Sequence, residues 1–159
     1  MNPQPTGSIV ATDSGRDLVL GRDLPIPAEE AWNWASDPVK LRTWFGSWTG
    51  QAGTGGRIEV SMNAEAEPHT SEWEVAVCDP GRSFRIASIG DVSWDIEVTV
   101  EPTAGGSRLT FTQHLDEDTA PGSIAAGWEW YLDRLVAAIG DEPMPDFNDY
   151  WPALGPHYA

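Results

Sequence analysis

The strongest constraint on the fold is a change of hydrophobic period along the chain. In "VSWDIEVTVE", residues 92–101, Val92, Trp94, Ile96, Val98 and Val100 alternate with Ser93, Asp95, Glu97, Thr99 and Glu101. A period of two marks a strand with one buried face and one face in water. In "AAGWEWYLDRLVAAIG", residues 125–140, the period lengthens to that of a helix. Ile124, Trp128, Tyr131, Leu132, Leu135 and Ile139 fall on one apolar stripe, and Gly140 stops the helix, which is expected over about 123–139. A sheet with one apolar face and a helix with one apolar stripe can each bury that face on the other.

The alternating segments come in a run. "GGRIEVSM" places Ile58, Val60 and Met62 on one side, and "TSEWEVAVCD" does the same with Trp73, Val75 and Val77. "DPG" at 79–81 is a turn, because proline pre-sets φ and glycine accepts a positive one. "RSFRIASI" is the next strand, and "RLTFTQHL" turns Leu109, Phe111 and Leu115 inward with Gln113 as the one polar residue in that register. Short turns between successive strands imply an antiparallel meander. Upstream, "DLVLGRDL" predicts a strand over 17–24, followed by two short helices. The first is "PIPAEEAWNWAS"; the second, "DPVKLRTWFG", has Asp37 as its cap and Pro38 in its first turn. Leu41, Trp44 and Phe45 share a face of that second helix, and Gly46 ends it. The fold class is α+β.

Residues 1–16 are polar and broken by Pro and Gly, so a flexible arm is expected there, ahead of a folded domain at 17–140. The Pro-rich tail at 141–159 keeps Phe147, Tyr150, Trp151 and Tyr158, and is expected to dock on the domain. Trp130 lies nearly opposite Trp128 at ~100° per residue and faces outward. Either the tail or a second subunit must cover it, which makes it an interface candidate; the tail is the favoured cover, and monomer or homodimer stays undecided.

Composition excludes several partners. The net charge of −16 repels phosphate backbones and anionic headgroups, so neither nucleic acid nor membrane is an expected partner. No apolar run approaches the ~20 residues that span a bilayer. The N-terminus lacks the basic and apolar regions of a signal peptide. The single cysteine, Cys78, fits a reducing cytoplasm.

No catalytic or metal-binding constellation is legible, and no cofactor is expected. His69, His114 and His157 have no metal-ligand spacing. Glu72, Glu74, Asp95 and Glu97 take the polar register of their strands and read as a solvated face. "GTGG" at 53–56 is a hairpin turn rather than a phosphate loop, since no Lys follows it. No serine has a nucleophile-elbow context.

In their order and spacing, "IPAEEAWNWASDPVKLRTWFG", "GGRIEVSM", "CDPGRSFRI", "VTVEPTAGGSRLTFTQHL" and "GWEWYLDRLVAAI" resemble the START-like, or SRPBCC, superfamily. Within it they are similar to the branch named after the activator of heat-shock-protein ATPase, over roughly residues 17–140. The resemblance implies a helix-grip fold: a curved antiparallel sheet wrapped around a long C-terminal helix, with two short helices after the first strand. It also implies an apolar cavity between sheet and helix. Trp44, Met62, Trp73, Phe84, Trp94, Phe111, Gln113, Trp128 and Leu132 are the candidates to line it. The same rings can instead fill a solid core, and the residues leave both readings open. The expected function is binding of a small apolar or amphipathic ligand. The alternatives are an enzyme of cyclase, dehydratase or hydrolase type using the same cavity, with Gln113 or His114 as its polar group, or a co-chaperone-like interaction domain.

Overall fold

A computed structural model describes residues 3–62, 64, 69–90 and 94–158. Its elements run β1 (Ser8–Thr12), β2 (Gly15–Leu24), α1 (Ala28–Ser36), α2 (Pro38–Leu41), β3 (Gly46–Gly50), β4 (Arg57–Met62), β5 (His69–Asp79), β6 (Ser83–Ser88), β7 (Asp95–Thr103), β8 (Gly106–Leu115) and α3 (Gly122–Ile139). Short 3-10 turns at Phe147–Asp149 and Gly155–Tyr158 follow. The strands form one open antiparallel sheet in the order β1-β2-β8-β7-β6-β5-β4-β3. This is the helix-grip α+β architecture, with α3 as the long C-terminal helix.

The core forms where the two periods meet. β8 alternates strictly, with Ser107, Leu109, Phe111, Gln113 and Leu115 buried. From α3, Ala125, Trp128, Leu132 and Leu135 are buried with them in one cluster. Asp37 caps α2 as its sequence position requires: its carboxylate accepts from Val39 N at 3.1 Å, and Pro38 fills the first turn. Val92 and Ser93 lie outside the described residues.

Several expectations need correction. The segment expected to be a flexible arm carries a strand. β1 pairs with β2 from Ser8↔Val19 to Thr12↔Gly15, so the two short helices follow the second strand rather than the first. Polar composition hid β1 because it is an edge strand with Val10, Ala11 and Thr12 exposed, and it needs no strong alternation. α2 is a single turn. Trp44 and Phe45 lie beyond it in hydrogen-bonded turns to Leu41 O, and Arg134 Nε donates to Trp44 O at 2.8 Å. Gly46 does more than stop a helix: it opens β3, an unpredicted strand, and pairs with Met62. A Cβ there would fall on the Ser61 carbonyl oxygen, so only glycine lets β3 approach β4 so closely.

β5 departs from simple alternation. Its pairing with β6 shifts between Val75 and Val77, leaving Ala76 as the extra residue of a bulge. Trp73 and Val75 stay buried, but Val77 is 46% exposed, and Cys78 takes the inward place.

Trp130 is 6% exposed, so it offers no free surface for a second subunit. Its Nε1–H donates to Pro145 O at 3.0 Å, Phe147 meets its ring edge-on at 5.2 Å, and the Arg134 guanidinium lies 5.0 Å from its ring centre. The tail lies along α3, with Tyr150, Leu154 and Tyr158 buried.

Candidate ligand cavity

Between the concave side of the sheet and its helical cover lies a cavity of about 780 Å³. Its sheet wall comes from β4 to β8: Ile58, Val60 and Met62, then Trp73 and Val75, Phe84 and Ile86, Ile96 and Val98, Leu109 and Phe111. The cover is Trp32 and Ala35 of α1, the turn with Trp44 and Phe45, Trp48 of β3, and Trp128 and Leu132 of α3. The wall next to α3 is the most buried, with Leu109, Phe111 and Leu132 each 2% exposed or less. Toward its ends the lining includes exposed residues, Ala52 and Pro80 at one and His69 and Ile89 at the other.

The lining is apolar in a specific way. Among the described residues, no Asp, Glu, Lys or Arg belongs to it. Four of its indoles have their N–H groups occupied by the protein. Trp44 Nε1 donates to Trp34 O at 3.0 Å, Trp48 Nε1 to Ser36 O at 2.7 Å, Trp73 Nε1 to Ser71 Oγ at 2.8 Å, and Trp128 Nε1 to Gln113 Oε1 at 2.8 Å. Indoles that spend their one donor inside the protein present carbon surface to whatever enters.

Of the residues singled out from sequence, Trp44, Met62, Trp73, Phe84, Trp94, Phe111, Trp128 and Leu132 line the cavity. Gln113 does not: it is 2% exposed and stands behind Trp128 as the acceptor for its indole. His114 is placed on the opposite face of the sheet, where its Nδ1 lies 2.7 Å from Asp17 Oδ1 and its Nε2 3.6 Å from Glu97 Oε2. Neither polar group of the enzyme alternative reaches the cavity. Asp95 and Glu97 are half-buried on that outer face, with Asp95 in a two-point ion pair with Arg85. This pair raises the Arg85 pKa, chiefly through the hydrogen bond to Asp95.

Trp32, Phe45, Trp48 and Cys78 were not read from sequence as lining residues. Trp48 sits in a strand too short to show a period, and Cys78 faces inward only because of the bulge. Trp32 is on an amphipathic helix and carried a signal; it meets Phe84 edge-on at 5.8 Å across the cavity.

Behind the cavity, a buried polar network ties α3 to both ends of the chain. Glu129 is 1% exposed and accepts from Arg22 Nη2 at 2.8 Å, Tyr158 Oη at 2.8 Å and Thr6 N at 2.7 Å, and also from the Thr6 hydroxyl. Arg22 also reaches Asp133 at 3.0 Å, and Tyr150 Oη donates to Asp133 at 2.6 Å. Burial opposes the Arg22 charge, but the bond to Glu129 and the two carboxylate charges outweigh it and raise its pKa. Among the described residues, no group of three or more His, Cys, Asp or Glu could hold a metal ion, and no helix is long and apolar enough to cross a membrane.

The fold recurs in known structures. CalU16 from Micromonospora echinospora has the same fold, with a TM-score of 0.76 at 19% identity over 96% of this chain and 92% of that one. The BPP1335 protein from Bordetella parapertussis superposes with a TM-score of 0.75 at 20% identity, over 99% of this chain and 93% of the other. In sequence, the chain is 27% identical to Toxin Rv0910 of Mycobacterium tuberculosis over 111 residues, which cover 64% of this chain and 77% of the toxin. The model of the family described as "Activator of Hsp90 ATPase homolog 1-like protein" matches residues 25–140, and the chain belongs to that family.

Proposed function

We propose that this protein binds one small apolar or amphipathic ligand in the cavity between its sheet and α3. The observation that carries the reading is the cavity itself: about 780 Å³, with no Asp, Glu, Lys or Arg among the described residues of its wall. That volume lies within the roughly 300–1,000 Å³ range of small-molecule sites. Burial of apolar ligand surface there contributes about 25 cal/mol per Å² before the costs of association. A cationic ligand buried whole would find no carboxylate among the described lining residues.

Binding is favoured over turnover because Gln113 and His114, the polar groups a catalytic reading called on, lie outside the cavity. Binding is also favoured over a docking role for Trp130, which is 6% exposed beneath the tail. The lone Cys78 fits a reducing compartment, and on that ground we assign the protein to the cytoplasm.

Native mass spectrometry of the freshly purified protein tests the reading, paired with Val75→Phe, which puts bulk into the cavity from β5. The expected result is a discrete adduct, lost on denaturation and absent from folded Val75→Phe. An adduct that persists in that variant places the ligand elsewhere. A bare mass that stays bare after incubation with apolar probes rejects the reading.

A further inference from the structure

Gln113 is a buried primary amide in an otherwise apolar register. On β8 it follows Leu109 and Phe111 and precedes Leu115, and it pairs across to Leu18 of β2 and Ile96 of β7. A buried amide costs free energy unless its polar atoms are paired. Its partner is Trp128, whose Nε1–H meets Gln113 Oε1 at 2.8 Å. An indole nitrogen only donates, so the amide atom facing it is the oxygen.

Trp128 is the aromatic residue through which α3 reaches the cavity. Phe111 holds its ring at 4.2 Å, and Phe45 lies nearly parallel at 5.9 Å with 15° between the planes. With its N–H held by Gln113, which continues the inward register of β8 just past Phe111, the ring gives carbon surface to the cavity. The caps on Trp44 and Trp48 are backbone carbonyls, which no side-chain substitution removes, and the cap on Trp73 is Ser71, itself a lining residue. Among these four, Gln113 is the one side chain outside the cavity whose chemistry decides whether a lining N–H is occupied.

We propose that Gln113 is a specificity-determining residue: by occupying the Trp128 N–H, it withdraws that donor from the most buried wall of the cavity and selects ligands whose part against Trp128 is hydrocarbon without a hydrogen-bond acceptor. The proposal rests on the ligand-binding reading above and sharpens it. A carbonyl or ether oxygen pressed against this wall loses its water and gains no partner, which is how a site discriminates against a polar isostere. Without the Gln113 oxygen, the Trp128 N–H is an orphaned donor, and an acceptor on the ligand becomes favourable.

Two flat probes of one shape, fluorene and fluorenone, test this, since they differ by a single carbonyl. The readout is the ratio of their affinities, followed by quenching of tryptophan emission. Gln113→Met keeps the volume and removes the acceptor; it is expected to shift the ratio toward fluorenone by about 10-fold. Trp128→Phe lacks the donor, so adding Gln113→Met to it is expected to leave the ratio unchanged. A role confined to packing would move the ratio alike in both backgrounds, or in neither. An unchanged ratio in Gln113→Met that still binds both probes overturns the proposal and leaves the cavity reading standing. If wild type binds neither probe, the cavity reading fails and this proposal with it. A second measurement needs no variant: the indole N–H resonance of Trp128 in wild type is expected to exchange slowly and to stay in place when fluorenone is added. A hydrogen-bond shift on that proton upon fluorenone binding overturns the proposal.

Discussion

The phenol of Tyr158 donates to Glu129 Oε2 across 2.8 Å, joining the last turn of the chain to the buried side of α3. Gly7 N in turn donates to Tyr158 Oη at 2.9 Å, and Thr6 N to the same carboxylate oxygen at 2.7 Å. One carboxylate therefore gathers both ends of the chain. Tyr158→Phe removes one of its donors and is expected to destabilise the fold by about 1–3 kcal/mol in urea unfolding. Glu129→Leu leaves Arg22 paired with Asp133 but takes the acceptor from Thr6 N and Tyr158 Oη together, and is expected to cost more, about 3 kcal/mol or above. If Glu129→Leu proves the milder change, the network does not hold the termini in this way.

Alkaline pH is expected to loosen the same region. Burial, then hydrogen bonding to Asp133 for Tyr150 and to Glu129 for Tyr158, raises both phenol pKa values above the ordinary 10.0. The folded state thus holds protons that the unfolded chain releases. Stability from these groups is full below about pH 10 and is lost as pH climbs toward the folded pKa values. Unfolding midpoints measured against pH, with tyrosinate absorbance alongside, are expected to fall above about pH 10. The Tyr150→Phe/Tyr158→Phe double variant is expected to be less stable at neutral pH and flatter across that range. Equal slopes for the two proteins reject the assignment.

Removing the tail tests how Trp130 is covered. Deleting residues 141–159 takes away Pro145 O and the Phe147 ring that enclose it, and the buried Tyr150, Leu154 and Tyr158. Tryptophan emission is expected to shift to the red, and the melting temperature to drop on the order of 5–10 °C. An unshifted spectrum in a monomeric truncation shows that something other than the tail shields the ring.

The bulge in β5 gives a sharp contrast between residues that strict alternation makes equivalent. Val75 is 2% exposed and Val77 46%. Val75→Ala is expected to cost about 1–2 kcal/mol in urea unfolding and Val77→Ala less than about 0.5. Similar losses at both positions argue for an unbroken strand.

The extent of what can be read from sequence follows from the same local physics. Strict alternation made β7, β8 and the first half of β5 legible, since period and burial coincide there, and the 3.6-residue stripe did so for the sheet-facing side of α3, though not for Glu129 and Trp130, which are buried by the chain ends. β1 and β3 were missed because each has five residues and lies at a sheet edge, where little burial imposes a pattern. Cys78 was missed because one extra residue in β5 reverses every side chain beyond it. Gln113 was recognised as the inward polar residue of β8, but its partner is 15 positions away on another element. No local pattern carries that pairing.

Local pattern alone sufficed for the order of β2, α1 and β4 to α3, the two apolar faces that must meet, and the rings available to stand between them. Those depend on interactions between near neighbours along the chain, which period and turn chemistry record. Only the tertiary structure decided that the rings surround a cavity of about 780 Å³ and do not fill a solid core. It also decided that Trp130 is roofed by the tail, and that Glu129 holds both chain ends. These outcomes depend on the separation of packed elements and on partners far apart in the chain, so they exist only once the sheet has closed on its helix.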